Sequence, residues 1–271
     1  MRFLSHFHDP DDLFVPILER CVGKIPEEIV GSTIAVTPET TIKVYELLKK
    51  LNFKIIEGGP YGVGRMAALK SSLKDANETL FFVCDFDKML HWIENDIDEF
   101  KSIFKLLPEN DLTAIARGEK AILTYPTSWV ETEFIVTRVV GKILGKEIDL
   151  MNGPYIVNRR AGETIAEFAK ETGVGACAEW CLISHLHNLS VGNHFVNGLT
   201  WEDPDRYQKQ IQETGNLDVW KEKTFDSLYE WRKRIEFLHR QVEVMIRLTN
   251  EPINPKFPAS SHSATDALKR F

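Results

Sequence analysis

Asp85 and Asp87, in the stretch TLFFVCDFDKML (79–90), place two carboxylates one residue apart, directly after the uncharged run 80–84. Carboxylates so spaced at the exit of a buried strand suit a hard divalent cation, Mn²⁺ or Mg²⁺, which takes oxygen ligands. Such an ion keeps places for phosphate oxygens and offsets charge developing on a diphosphate leaving group. Either side chain would serve equally well as the N-cap of the helix that follows. The tripeptide cannot choose between these roles, because Asp-x-Asp occurs four times, at 9/11, 85/87, 96/98 and 203/205. Asp9/Asp11 and Asp203/Asp205 flank prolines, and Asp96/Asp98 are expected inside a helix, where i and i+2 point apart. The 85/87 pair alone follows a strand-like run.

What would position that pair is an alternation of short apolar runs with helical patterns. RFLSHF, STIAVT, FKIIE, TLFFVC and LTAIAR read as strands. Between them lie a helix near 13–22, PETTIKVYELLKKL with Val44, Leu47, Leu48 and Leu51 on one face, and RMAALKSSLKDA. GGPYGVG breaks the chain before the last of these. A longer helix from Leu90 carries Leu90, Ile93, Ile97, Phe100, Phe104 and Leu107. This predicts an α/β fold with a mostly parallel sheet flanked by helices, whose ligands bind at the C-terminal ends of the strands. After Pro126 the pattern becomes mainly helical, with a late strand near NHFVNGLTWED. Two regions are expected: 1–203, the α/β body, and 204–271, a helical extension with a loose tail rich in Pro and Ser. In the extension Leu228, Trp231, Ile235, Leu238, Val242 and Met245 recur at intervals of three and four. That seam is expected to pack on the body and to complete its burial in a homodimer.

Hydrophobic residues make up 43% and charged residues 27% of the 271, ordinary for a globular chain with a real core. The net charge of −7 argues against a broad nucleic-acid-binding surface. No apolar run reaches the roughly 18 residues of a membrane span. The N-terminus, MRFLSHFHDPDD, lacks the apolar core of a signal peptide. Cys21, Cys84, Cys177 and Cys181 show no zinc spacing and read as free thiols of a reducing cytoplasm. A peripheral membrane location would follow only from a lipid-linked acceptor.

Several pieces, in order from about Ile34 to Trp201, resemble the glycosyltransferases of the GT-A fold, in particular the inverting family that includes polyprenyl-phosphate mannose and glucose synthases. GPYGVGRMAALKSSLKDANETLFFVCDFD is similar to that family's Gly-rich turn, Arg-bearing helix, strand and Asp-x-Asp. LTAIARG resembles its next strand, which ends in an arginine, here Arg117. GKEIDLMNGPYIVNRRA resembles its acceptor-side loop, placing Asp149, Gly153, Arg159 and Arg160. GACAEWCLISHL resembles the helix that presents the base, here Glu179. The resemblance implies a GT-A-like nucleotide-diphospho-sugar transferase with a metal on Asp85 and Asp87. Gly62, Gly64, Arg65, Arg117, Arg159 and Arg160 would then hold the donor phosphates. Glu179 would take the proton of an acceptor hydroxyl, on a small molecule or a lipid. The chain departs from the family at the first strand, SHFHDPDD, and at the second, VTPETT, both of which usually bear on the nucleoside base.

Three other readings stay open. One is a scaffold that keeps the fold without catalysis. GVGRMA matches G-x-G-x-x-A with Asp85 downstream, as in a Rossmann dinucleotide site, although EGGPY separates it from the preceding strand. His6 and His8, alternate residues of the first strand, could with Asp9 begin the metal site of a TIM-barrel hydrolase, and His185 and His187 could add ligands. That barrel needs about eight strand–helix units.

Overall fold

The computed structural model describes residues 1–249 apart from Val22 and Ala76, so the tail expected from 250 onward lies outside the described residues. In chain order the elements are β1 (Arg2–Phe7), α1 (Val15–Cys21), β2 (Thr33–Val36), α2 (Ile42–Lys50), β3 (Lys54–Glu57), α3 (Tyr61–Leu73) and β4 (Leu80–Val83). Then come α4 (Phe86–Asn95), α5 (Ile97–Ile103), β5 (Leu112–Arg117), α6 (Glu119–Ile122), α7 (Thr127–Leu144), β6 (Tyr155–Asn158) and α8 (Arg159–Phe168). The chain continues through α9 (Ala176–Leu186), β7 (Val191–Val196), α10 (Gln208–Thr214), α11 (Leu217–Phe225) and α12 (Leu228–Thr249).

The seven strands form one sheet in the order β3-β2-β1-β4-β6-β5-β7. All pairings are parallel except those of β6, which runs antiparallel to both β4 and β5. Successive strand residues point to opposite faces, and each face is covered. Phe3 and Phe82 join the core under α1, α2, α4 and α5. Leu4, Phe81 and Val83 join the core under α3, α7, α8, α9 and α12. A smaller cluster of Tyr125, Trp201, Trp220 and Phe225 closes the end from which α10 and α11 emerge.

Two sequence expectations change here. The helix expected to run on from Leu90 breaks at Asp96, which caps α5 by accepting from the Glu99 N–H at 2.9 Å. A short polar side chain at that point competes with the helix for backbone hydrogen bonds, and the apolar periodicity passes through the break unmarked. YIVN, read as part of an interrupted segment, is β6, turned antiparallel by the loop around Gly153, whose φ is +96°.

The seam of the extension is corrected in part: Leu238 and Met245 do pack on the core of the body. Leu228 is 90% exposed and Ile235 54% exposed, whereas Glu230, Arg234, Gln241, Val244 and Met245 face inward. Here polar side chains meet polar partners on the body. The Ala178 N–H donates to Gln241 Oε1 at 3.1 Å, and Gln241 Nε2 donates to the Val174 carbonyl. Spacing of apolar residues could not reveal a helix face held by polar contacts. No helix among the described residues is long and apolar enough to cross a membrane.

Candidate functional site

β1, β2, β4 and β5 end on one edge of the sheet, and antiparallel β6 begins there, with Val83 beside Tyr155. Asp85 and Asp87 emerge at this edge, Asp85 in the N-cap position of α4 without making a capping hydrogen bond. Asp85 keeps 19% side-chain exposure, yet its Oδ1 is buried with no hydrogen-bond partner. Its Oδ2 accepts from the Tyr61 hydroxyl at 3.4 Å. Burial pushes its carboxyl up to about 6, against the pull of the Arg65 guanidinium 3.7 Å away, and the Asp87 charge pushes the same way as burial.

Arg65 is 2% exposed and is spent locally. It donates to the Tyr61 hydroxyl and to the Gly153 carbonyl, which pins the loop before β6 against Asp85. Gly153 permits that approach: a Cβ there would lie 3.2 Å from Asp85 Oδ2 in a backbone conformation that L residues rarely adopt.

Beside Asp85 lies a cavity of about 190 Å³, walled by Lys88, Tyr125, Trp129, Glu133, Glu202 and Arg234, with Arg117 and Cys177 also on it. Buried ion pairs organise its wall. Lys88 Nζ meets Glu202 Oε1 at 2.8 Å and also donates to the Tyr125 hydroxyl at 3.3 Å. Burial opposes ionisation of both partners, but each holds the other charged: Glu202 sits below the usual carboxylate range and Lys88 above the usual ammonium range. Arg117 binds Asp149 through Nε at 3.0 Å and Nη2 at 2.8 Å, and its Nη2 lies 2.7 Å from Glu133 Oε2. Burial would raise the Asp149 carboxyl, yet Arg117 brings it below its ordinary value. Arg234, from α12, pairs with Glu133 and stacks 4.2 Å over the Trp129 ring. Glu202 Oε2 and Arg234 Nε, both buried, make no hydrogen bond. A wall of paired charges with unused donors and acceptors is chemically suited to a polar, hydroxyl-rich group. The volume is below the roughly 300–1,000 Å³ of sites for drug-sized ligands, so it matches one such group rather than a whole nucleotide.

The structure thus brings Asp85, Asp87, Arg65, Gly153, Arg117 and Asp149 to one edge, and it takes Glu179, Arg159 and Arg160 elsewhere. Glu179 is fully buried in α9 and is not on the cavity: its carboxylate accepts from the Lys170 N–H at 2.9 Å, the Glu171 N–H at 2.8 Å and Arg247 at 2.9 Å. Arg159 and Arg160 begin α8 at the opposite edge, because β6 runs against β4 and ends beside Leu80. Arg159 donates to the carbonyls of Leu73, Asp75 and Glu78, and Arg160 is exposed. Gly62 and Gly64 are not in a turn but in the first turn of α3, where a Cβ would fall 2.5 Å from the Glu171 carbonyl oxygen and 2.1 Å from the His6 ring, respectively. His6 itself bonds the Gly59 carbonyl, and burial lowers its pKa.

Lys88, Tyr125, Glu133, Glu202, Arg206 and Arg234 went unmarked in the sequence. Lys88 stands next to the Asp-x-Asp, but the others come from three distant segments with no spacing to signal them.

The carboxylates do not fit a divalent ion as they stand. Asp87 Oδ1 accepts from the Lys88 N–H at 2.8 Å, and its Oδ2 is paired with Arg206. Among the described residues no group of three or more His, Cys, Asp and Glu side chains converges as ligands. Mg²⁺ is commonly held by one or two carboxylates, with water and phosphate oxygens completing its shell; here Asp87 is already engaged and one orphaned oxygen of Asp85 remains.

No protein-family model matches the chain, and no curated protein matches it. Solved structures do. Glucosyl-3-phosphoglycerate synthase of M. tuberculosis has a TM-score of 0.52 at 9% identity, over 93% of this chain and 81% of that one. The same enzyme in complex with Mn²⁺, UDP-glucose and phosphoglyceric acid gives 0.53 at 10% identity, over 93% and 80%. Its complex with Mn²⁺, UDP-glucose and glycerol 3-phosphate gives 0.51 at 9%, over 93% and 81%. At such identity the likeness concerns the fold, and the fold is GT-A-like.

Proposed function

We propose that this chain is a glycosyltransferase that moves a sugar from a nucleotide-diphosphate donor to an acceptor hydroxyl at the Asp85 edge of the sheet. One observation carries the reading: within a GT-A-like sheet, the aspartate that exits β4 buries an unpartnered oxygen beside a cavity of paired charges. Buried polar atoms are nearly always satisfied, so an orphan of this kind marks a place where a ligand group completes the bonding. On this reading the sugar lies between Asp85 and the cavity, with the diphosphate outside the first turn of α4. Tyr125, Trp129 and Phe237 exclude water, and Glu202 and Arg234 offer their unused atoms to hydroxyls. Glu179 has no part in it. A polyprenyl-phosphate acceptor has less support than a small one, since the matched complexes hold phosphoglyceric acid or glycerol 3-phosphate.

The test is a thermal-shift series with UDP- and GDP-linked sugars, since a ligand that binds only the native state raises the melting temperature by mass action. The native chain shifts with at least one nucleotide-sugar, and Asp85→Asn reduces that shift. No shift with any of them returns the chain to the scaffold reading, which the small cavity favours.

A further inference from the structure

Arg206 sits on the carboxylate that the sequence assigns to a metal. Its Nη2 donates to Asp87 Oδ2, its Nε lies 3.5 Å from Asp203 Oδ1, and its guanidinium stacks 4.7 Å from the Phe14 ring centre. The Nε is buried and makes no hydrogen bond, so the fork keeps donor capacity unused. The contact is braced on both sides. Lys88 Nζ reaches Glu202 Oε1 at 2.8 Å, and His91 Nδ1 reaches Asp205 Oδ2 at 2.6 Å. Asp87, Lys88 and His91, neighbours on the first turns of α4, therefore all dock on the single segment 202–206. Guanidinium stays charged throughout the accessible pH range and bonds phosphate oxygens directly through paired N–H groups. What segment 202–206 sets against α4 at the strand exit is a fixed cation already in place.

We infer that Arg206 is the resident cation of the Asp85/Asp87 site, and that the site binds a nucleoside diphosphate without a divalent metal. This rests on the nucleotide-sugar reading above and specifies its cofactor chemistry. A metal on Asp87 would have to evict Arg206, leaving a largely buried guanidinium with Asp203 alone, at a distance too long for a good hydrogen bond. A phosphate oxygen meets a smaller obstacle. It replaces only that long Asp203 contact and takes the orphaned Nε. Carboxylates are plentiful at this edge, and three of them hold the cations in position rather than leaving them free: Glu202 holds Lys88, and Asp87 and Asp203 hold Arg206.

Two measurements on the full chain decide it. Electron paramagnetic resonance counts free Mn²⁺ in titrations of the protein alone, and calorimetry measures binding of UDP and GDP in EDTA or in Mn²⁺. The native chain takes up no saturable Mn²⁺, and the nucleotide that binds does so within about twofold in the two conditions. Arg206→Gln weakens binding in EDTA at least tenfold and acquires a Mn²⁺ site on the freed Asp87. Arg206→Lys, which keeps the charge but not the fork, falls between. Saturable Mn²⁺ uptake by the native chain overturns the inference whatever the variants do, including the case in which Arg206→Gln fails to fold. Nucleotide binding that requires Mn²⁺, or that Arg206→Gln leaves unchanged in EDTA, also overturns it while leaving the nucleotide-sugar reading intact. No nucleotide binding in either condition overturns both.

Discussion

Two regions of this molecule bury carboxylates, and they do so to opposite effect. Where α9 meets α12, Glu179 and Glu171 lie under the surface with their oxygens engaged: Glu179 by two backbone N–H groups and Arg247, Glu171 by Arg240, Arg247 and the Gly173 N–H. At the exit of β4, Asp85 and Glu202 each keep one oxygen buried and without a hydrogen bond. Burial of charge by itself therefore does not distinguish a site from a clasp. A satisfied network fastens α12 to the body and holds the loop before α9. An unsatisfied one costs stability and is left open for something to complete it.

The largest break in that comparison comes from Glu179→Ala. It strips acceptors from two amides and leaves Arg247 without its closest partner, so unfolding stability falls by about 3 kcal/mol in denaturant titration. Nucleotide affinity of the folded fraction stays unchanged. A loss of affinity at constant stability would instead return Glu179 to the site.

Asp85→Asn moves the other way. A carboxyl raised to about 6 in the native state and near 3.9 when unfolded binds its proton more tightly in the folded chain. Stability is therefore greatest below the unfolded value and is lost as pH rises from about 4 through about 6. The asparagine variant escapes that loss, so its advantage over the native chain grows across this window to about 1–3 kcal/mol by pH 7. Asp203, also raised to about 6 by burial, contributes the same slope and keeps it in the variant. Melting curves of both proteins at pH 4, 5, 6 and 7 measure the difference. Parallel curves would mean that Asp85 is solvated and its orphaned oxygen has no energetic consequence.

The smallest effect is expected from Leu228→Ser. With the side chain 90% exposed in the single chain, stability changes by about 0.5 kcal/mol or less. If the exposed part of the stripe, Leu228 and Ile235, is covered in a homodimer, sedimentation equilibrium shows the dimer weakened in the variant. A native chain that sediments as a monomer removes that proposal.

The elements were legible because they repeat locally. Short apolar strand runs, helical faces at three and four, and the break at GGPYG together placed Asp85 and Asp87 at the strand-exit edge. β6 escaped because Asn152, Gly153 and Pro154 directly before it read as a break, and its pairing depends on partners far away in the chain. The α12 face escaped for a different reason. Its inward side carries Glu230, Arg234 and Gln241, which only their partners make buriable.

By itself, then, the sequence determined the layers, the alternation and the carboxylate pair, since these follow from near-neighbour geometry and the need to bury apolar faces. The tertiary structure decided which charges face one another. The antiparallel turn of β6 sent Arg159 and Arg160 to the far edge, the packing of α9 on α12 sealed Glu179, and the return of residues 202–206 over α4 put Arg206 on Asp87. Coulombic and hydrogen-bonded partnerships depend on distance in space. Arg206 and Asp87 are 119 positions apart in sequence, and no local pattern records that meeting.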